Sequence, residues 1–224
     1  MDTPKNAAWV VRKIIGSRKK VIQLQNIQGD LHKMLGQMQL HGKFQIKKAY
    51  CLLLPQLPRV PWKTIVLHKQ IHPRFKFNLW LAAQKRLSTF DRLQKIGIQV
   101  PMECVFCDRG VETFDYLFFA CSINRGLWGK LLQWLGHYET IGTWKEEIHW
   151  ICNMAHGTNG AASITCSVFG MMVYCIWQER NSIRFQPGQY NATRVYRGIS
   201  LHMHIKGRHK AKWQPILSTL NCFA

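Results

Sequence analysis

Carboxylates are scarce in this 224-residue chain: 11 Asp and Glu stand against 31 Lys and Arg, a formal net charge of +20. Two-metal phosphoryl-transfer chemistry needs several carboxylates converging on divalent ions. Residues 1–100 hold only Asp2, Asp30 and Asp91, and residues 151–224 only Glu179. The one adjacent pair, Glu146 and Glu147 in "WKEEIHW", reads as the solvated face of an amphipathic helix. Polymerase and ribonuclease H activities are therefore not expected. There is also no P-loop, G-x-G-x-x-G, G-x-S-x-G or H-E-x-x-H, so the expectation is a chain that does no chemistry of its own. An apolar leader is missing too: "MDTPKNAAWVVRK" has no hydrophobic run, which argues against secretion and for a nuclear or cytoplasmic setting. Without a secretory route the sequon at Asn191 has no consequence. One uncharged stretch, "AASITCSVFGMMVYCIW" at 161–177, has 17 residues diluted by Ser, Thr and Gly. A membrane span needs roughly 20 predominantly apolar residues, so a buried helix is expected and a membrane is not.

What is present points to a folded, basic protein. Hydrophobic residues make up 47% of the chain, with 9 Trp and 11 Phe, enough for a core. The charge is uneven. Residues 1–50 carry 10 basic and 2 acidic side chains, residues 51–100 carry 9 and 1, residues 101–150 carry 4 and 7, and the remainder 8 and 1. Basic flanks thus enclose a mildly acidic centre, and a surplus of this size calls for a polyanionic partner.

The expected fold class is mainly α: a helical domain with a small zinc-knuckle-like insertion. A short basic helix is expected over 7–20, and "GKFQIKKAYCLLL" at 42–54 starts extended and turns helical. The three-proline segment "PQLPRVP" at 55–61 reads as a linker, giving a basic segment 1–54, a central domain 55–136 and a helical segment 137–224 with a basic tail. Pro61 and Trp62 begin one helix, and Pro73 suits the first turn of the next, with Phe77, Trp80, Leu81 and Gln84 near one face. Ser88 and Asp91 resemble a capping box and Gly97 a helix stop. Ile123, Leu127, Leu131 and Leu135 recur every four residues up to Gly136; a long buried helix over 163–185 and a last one over 192–206 complete the set. Most of the tryptophans among Trp62, Trp80, Trp128, Trp134 and Trp177 are expected in the core.

The chain has 8 cysteines. Cys51, Cys152, Cys166, Cys175 and Cys222 sit among apolar neighbours and read as core packers. The stretch "CVFCDRGVETFDYLFFAC", 104–121, is different: a C-x2-C turn presents two thiolates at one vertex, and a structural zinc then needs two more ligands. A reducing compartment favours metal binding over disulfides for such a pair.

The run "RFKFNLWLAAQKRLSTFDRLQKIGIQVPMECVFCDRGVETFDYLFFAC" resembles the zinc-binding region that follows the polymerase in plant non-LTR (LINE-type) retrotransposon reverse transcriptases. That pattern is a Trp-bearing helix, an "RL-T-D-L" segment, C-x2-C, an acidic residue, then His-Leu-Phe and a Cys. The match is close over 61–136, and "AAWVVRKI" and "IWQERNSIRF" resemble further segments of such polyproteins. The resemblance implies at most one zinc, held by Cys104, Cys107 and Cys121, and a role in holding element RNA or target DNA. Tyr116 stands where the family has histidine. A neutral phenol is a poor zinc ligand, which leaves Asp115, water or a distant histidine for the fourth position. The competing reading keeps the three cysteines as buried thiols around a turn held by Leu117, Phe118 and Phe119 without metal.

Three basic clusters are candidates for phosphate contact. The first is Arg12, Lys13, Arg18, Lys19 and Lys20; the second Arg74, Lys76, Lys85, Arg86, Arg92 and Lys95; the third Lys206, Arg208, Lys210 and Lys212. His202, His204 and His209 belong to a solvated basic tail rather than a ligand set, because residues two apart on a helix face different ways. The resemblance implies a non-catalytic nucleic-acid-binding fragment from the C-terminal region of such a reverse transcriptase, with a degenerate zinc knuckle and RNA or DNA as partner. The alternative is an orphan protein-interaction or structural module, or a non-functional relic, without metal.

Overall fold

The computed structural model describes residues 36–53, 60–186 and 188–220, together with Ser17 and Lys33. The helix expected over 7–20, with the cluster Arg12, Lys13, Arg18, Lys19 and Lys20, lies outside the described residues, as does Cys222. The chain divides into two compact units, 1–58 and 59–224, and the break falls within the three-proline segment.

In the first unit, β1 (Gln39–Leu40) and β2 (Lys43–Phe44) form a tight antiparallel hairpin with Gln39 opposite Phe44. Its turn residues His41 and Gly42 both have positive φ, 52° and 72°, the twist that suits a two-residue hairpin. Helix α1 (Ile46–Leu53) follows, as the sequence led one to expect. Cys51 is exposed here rather than in a core, because α1 turns only Ala49 inward among its described side chains.

The second unit is helical: α2 (Lys63–Val66), α3 (Pro73–Ala83), α4 (Phe90–Lys95), a π-helical turn (Tyr116–Ala120), α5 (Ser122–Trp134), α6 (Trp144–Met154), α7 (Gly160–Phe185), α8 (Ala192–Gly207) and α9 (Gln214–Leu217). Helix α7 is the axis of the core, with α3, α5, α6 and α8 packed around it. It is long and apolar enough to cross a membrane by composition, but 72% of its most apolar window is buried within the protein. Its Val168, Phe169, Met172, Val173 and Ile176 are fully enclosed, so it is a core helix.

Helix α3 starts as expected, with Pro73 in the first turn and the His72 ring accepting the Arg74 N–H at 3.3 Å. Its buried face differs from expectation. Phe75, Leu79 and Ala82, at i, i+4 and i+7, pack inward, whereas Phe77 is 59% and Trp80 38% exposed. Apolar residues ring this helix, so spacing alone did not decide which stripe the core would take. Thr89, not Ser88, holds the N-cap position of α4, and its hydroxyl donates to the Asp91 carboxylate at 2.7 Å. Gly97, with φ 82°, ends it as expected, and Ile98 N–H returns to the Leu93 carbonyl.

Of the Glu146–Glu147 pair, Glu146 is exposed as expected but Glu147 is not. Glu146 caps α6 by accepting the Thr143 N–H, and Glu147 is buried, accepting from Trp128 Nε1 at 2.8 Å and Gly142 N–H at 2.7 Å. Trp128 and Trp144 in turn join Phe114, Phe118, Phe119 and Phe169 in one aromatic cluster. The basic tail also departs from expectation. It folds back through α9, burying Trp213 and Leu217.

Candidate metal centre

The backbone makes the turn that the C-x2-C spacing requires. Glu103 bridges Val111 antiparallel, Cys104 N–H donates to the Gly110 carbonyl at 2.8 Å, and Asp108 N–H to the Cys104 carbonyl at 3.0 Å. Asp108 takes a left-handed φ of 52° to close the loop. Fourteen residues after Cys107, the π-helical turn delivers the third cysteine. Its wide hydrogen bond, from Cys121 N–H to the Tyr116 carbonyl at 2.7 Å, spans five residues and brings both ends of the turn to the cluster. Leu117, Phe118 and Phe119 anchor the turn in the core.

The sulfurs of Cys104, Cys107 and Cys121 all lie within 4.8 Å of one another. Tetrahedral zinc with Zn–S bonds of ~2.3 Å places its sulfurs about 3.8 Å apart, so this trio fits three corners of one zinc site. Cys104 and Cys121 are fully buried and Cys107 partly so. The Cys104 thiol donates a hydrogen bond to Cys121, which pushes the Cys104 pKa up and draws the Cys121 pKa down. Zinc binds cysteine as thiolate, so metal binding here releases protons and weakens as pH falls. By contrast, burial pushes the Cys152, Cys166 and Cys175 thiols up, and these three behave as inert packing.

Tyr116 stands at the edge of the trio, its hydroxyl 3.2 Å from Cys107 Sγ. That hydrogen bond, reinforced by burial, pushes the phenol up to about 12. The ring lies along Gly110, where an added Cβ would stand 2.4 to 2.6 Å from its outer atoms. Asp115, the other candidate for the fourth position, turns away: its carboxylate pairs with Lys85 at 2.7 and 3.0 Å. Among the described residues no histidine joins the cluster.

One residue that the sequence did not single out ties this loop to the core. Glu112 is fully buried and receives Arg180 through both Nε (3.1 Å) and an outer nitrogen (2.5 Å). It also accepts the Phe90 N–H at 3.2 Å and lies 3.7 Å from Arg184. Knuckle, α4 and α7 thus meet at one carboxylate. The family pattern puts an acidic residue in this stretch, but nothing in the composition shows that Glu112 is buried, because its partner lies 68 residues away.

The structure regroups the basic candidates. Lys85 faces the knuckle through Asp115, and Arg92 donates to the Lys85 carbonyl at 3.2 Å. Arg86 and Lys95 are exposed. Arg74 stacks over the Tyr174 ring at 4.9 Å. Lys76 falls with the third cluster: Lys206 and Lys210 both donate to Gln70, and Lys76 acts on the same neighbourhood. Arg208 and Lys212 are exposed. Burial first, and Lys210 and Lys76 next, pull the Lys206 pKa down to about 8. Its folded pKa thus lies below the ordinary lysine value of 10.5, so protonation is disfavoured in the fold. The resulting cost is full below pH 8 and vanishes as pH rises toward 10.5. Lys206→Met is therefore expected to flatten an alkaline rise in melting temperature between those pH values, measured against the natural chain; an unchanged profile would refute the assignment.

Residues 44–128 match the family described as zinc-binding in reverse transcriptase, a span from Phe44 in β2 through the three cysteines to Trp128 in α5. No curated protein and no solved structure matches the chain.

Proposed function

We propose that this chain is a non-catalytic nucleic-acid-binding fragment, derived from the region after the polymerase of a plant LINE-type reverse transcriptase. The reverse-transcriptase zinc-binding match around Cys104, Cys107 and Cys121 supports the origin. One observation carries the activity: the basic surplus is almost wholly unneutralised. Among the described residues only Lys85, Arg180, Arg184 and Arg194 pair with carboxylates. Phosphates supply the missing counter-charge, in an affinity that needs no sequence readout. The exposed Phe77 and Trp80, with ring centroids 6.1 Å apart, add a surface on which unpaired bases stack. The reading places the protein in the nucleus or cytoplasm, where thiols stay reduced and available to zinc.

Fluorescence anisotropy with a single-stranded oligonucleotide tests it. Replacing Arg74, Lys76 and Arg86 together by alanine should reduce the slope of log affinity against log salt by about 2, at ~0.7 per lost phosphate contact on a single strand. Lys85→Ala, whose charge Asp115 already neutralises, should change it little. An unchanged slope in the triple variant sinks the reading. The second reading, a protein-interaction module, rests on the same exposed Phe77 and Trp80 and predicts a salt-insensitive complex with a protein instead.

A further inference from the structure

An open cavity of about 530 Å³ lies where three loops meet: the one between α2 and α3, the one leading into α7 and the one leading into α9. Lys69, Lys210 and Lys212 line it with His68, and its wall contains no Asp or Glu. The charge is not neutralised from outside either. Among the described residues none of these lysines pairs with a carboxylate, and every charge that acts on His68 comes from a lysine: Lys76, Lys206 or Lys210.

The tail lysines are held in place. The Lys210 ammonium donates to the Gln70 side-chain oxygen and stands 4.7 Å over the buried Trp213 ring. Lys206 donates to the Gln70 backbone carbonyl behind it. Lys212 reaches the Thr158 carbonyl at 3.4 Å, next to the start of α7. That helix runs for 26 residues, and its N-cap Asn159 accepts only the Ala162 N–H, at 2.7 Å. The earlier first-turn amides have no acceptor within the helix. Gly160 lets the tail approach: a Cβ there would stand 2.0 Å from the Lys212 carbonyl oxygen. Helix start and lysines therefore converge on one concavity, and both favour negative charge.

We propose that this cavity binds a phosphate group, with Lys69, Lys210 and Lys212 as its cationic wall and the first turn of α7 supplying backbone donors. The group arrives either at the end of a nucleic-acid strand or as free phosphate. As a docking point for a strand the site rests on the nucleic-acid reading above; as a phosphate site it does not.

Two measurements on the full chain test it. Amide resonances of Gly160 and Ala161 are followed while inorganic phosphate replaces chloride at constant ionic strength. A saturable shift is expected, and the double variant Lys69→Gln, Lys212→Gln should weaken it at least tenfold. Both side chains are exposed, so the variant should melt like the natural chain without phosphate. No saturable shift, or the same shift in the variant, overturns the site. In the second arm, a 5′-phosphorylated oligonucleotide is compared with its 5′-hydroxyl counterpart. A preference for the phosphorylated strand, lost in the variant, supports strand-end docking. Equal affinities beside a saturable phosphate titration overturn strand-end docking and leave free phosphate as the ligand. Salt-dependent strand binding with no phosphate response removes this site alone, whereas a phosphate response with no strand binding removes the nucleic-acid reading alone.

Discussion

Glu112→Ala is expected to cost about 3–5 kcal/mol, enough to unfold a large share of molecules in a domain whose whole stability is on the order of 5–15 kcal/mol. The carboxylate is completely enclosed, and so, within a few per cent, is the Arg180 side chain that faces it. Removing the acid leaves the Arg180 guanidinium in a low-dielectric site with Asn181 Oδ1 and the Trp177 ring as its other contacts, and leaves Arg184 beside it without its carboxylate. It also orphans the Phe90 N–H at the start of α4. The cost comes from the uncompensated charge rather than from the lost bond, so a second substitution should recover part of it. Glu112→Ala with Arg180→Met is expected to melt higher than Glu112→Ala alone, because an apolar side chain of similar reach tolerates the site. Urea unfolding of the three proteins measures this. A single variant within 1 kcal/mol of the natural chain would show that water, not Glu112, balances Arg180.

Cys104→Ser is expected to abolish zinc binding and lower the melting temperature in zinc. Cys104 is fully buried and starts the loop that Gly110 closes. Serine keeps the shape but is a far weaker zinc ligand. A metal present at a thousand times its dissociation constant stabilises the fold by about 4 kcal/mol. The variant forgoes that contribution, and two thiolates cannot replace it. The diagnostic is a chelator: EDTA should lower the melting temperature of the natural chain and leave the variant unmoved. Equal responses would mean that the turn is held by Leu117, Phe118 and Phe119 alone, the metal-free reading of the same residues.

How much of this was legible depended on where the partners lie along the chain. Pro73 announced α3, Gly97 and Gly136 announced helix ends, and the C-x2-C announced its turn, since each acts within a few residues of itself. The face of α3 was not legible, because Phe75, Phe77, Leu79, Trp80 and Leu81 give the core two stripes to choose from. Glu112 and Glu147 looked like any exposed acid, since Arg180 and Trp128 reach them only through tertiary packing. The basic tail looked solvated until Trp213 found the core and drew Lys206 and Lys210 to Gln70. The π-helical turn has no mark in the sequence either, yet it carries Tyr116 and Cys121 to one place. That geometry also sets the Tyr116 hydroxyl in a hydrogen bond with Cys107, where the resemblance led one to expect a ligand.

With Asp115 paired to Lys85 and no histidine at the cluster among the described residues, one zinc here rests on three cysteines and a fourth ligand from outside the trio. The most direct test is the zinc-to-protein ratio of the chain purified under reducing conditions, measured beside Tyr116→His. The account predicts close to one zinc per chain in both, with the histidine variant holding it more tightly against a chelator. Zinc in the Tyr116→His protein and none in the natural chain would contradict it, and would place Tyr116 as the residue that closed the site.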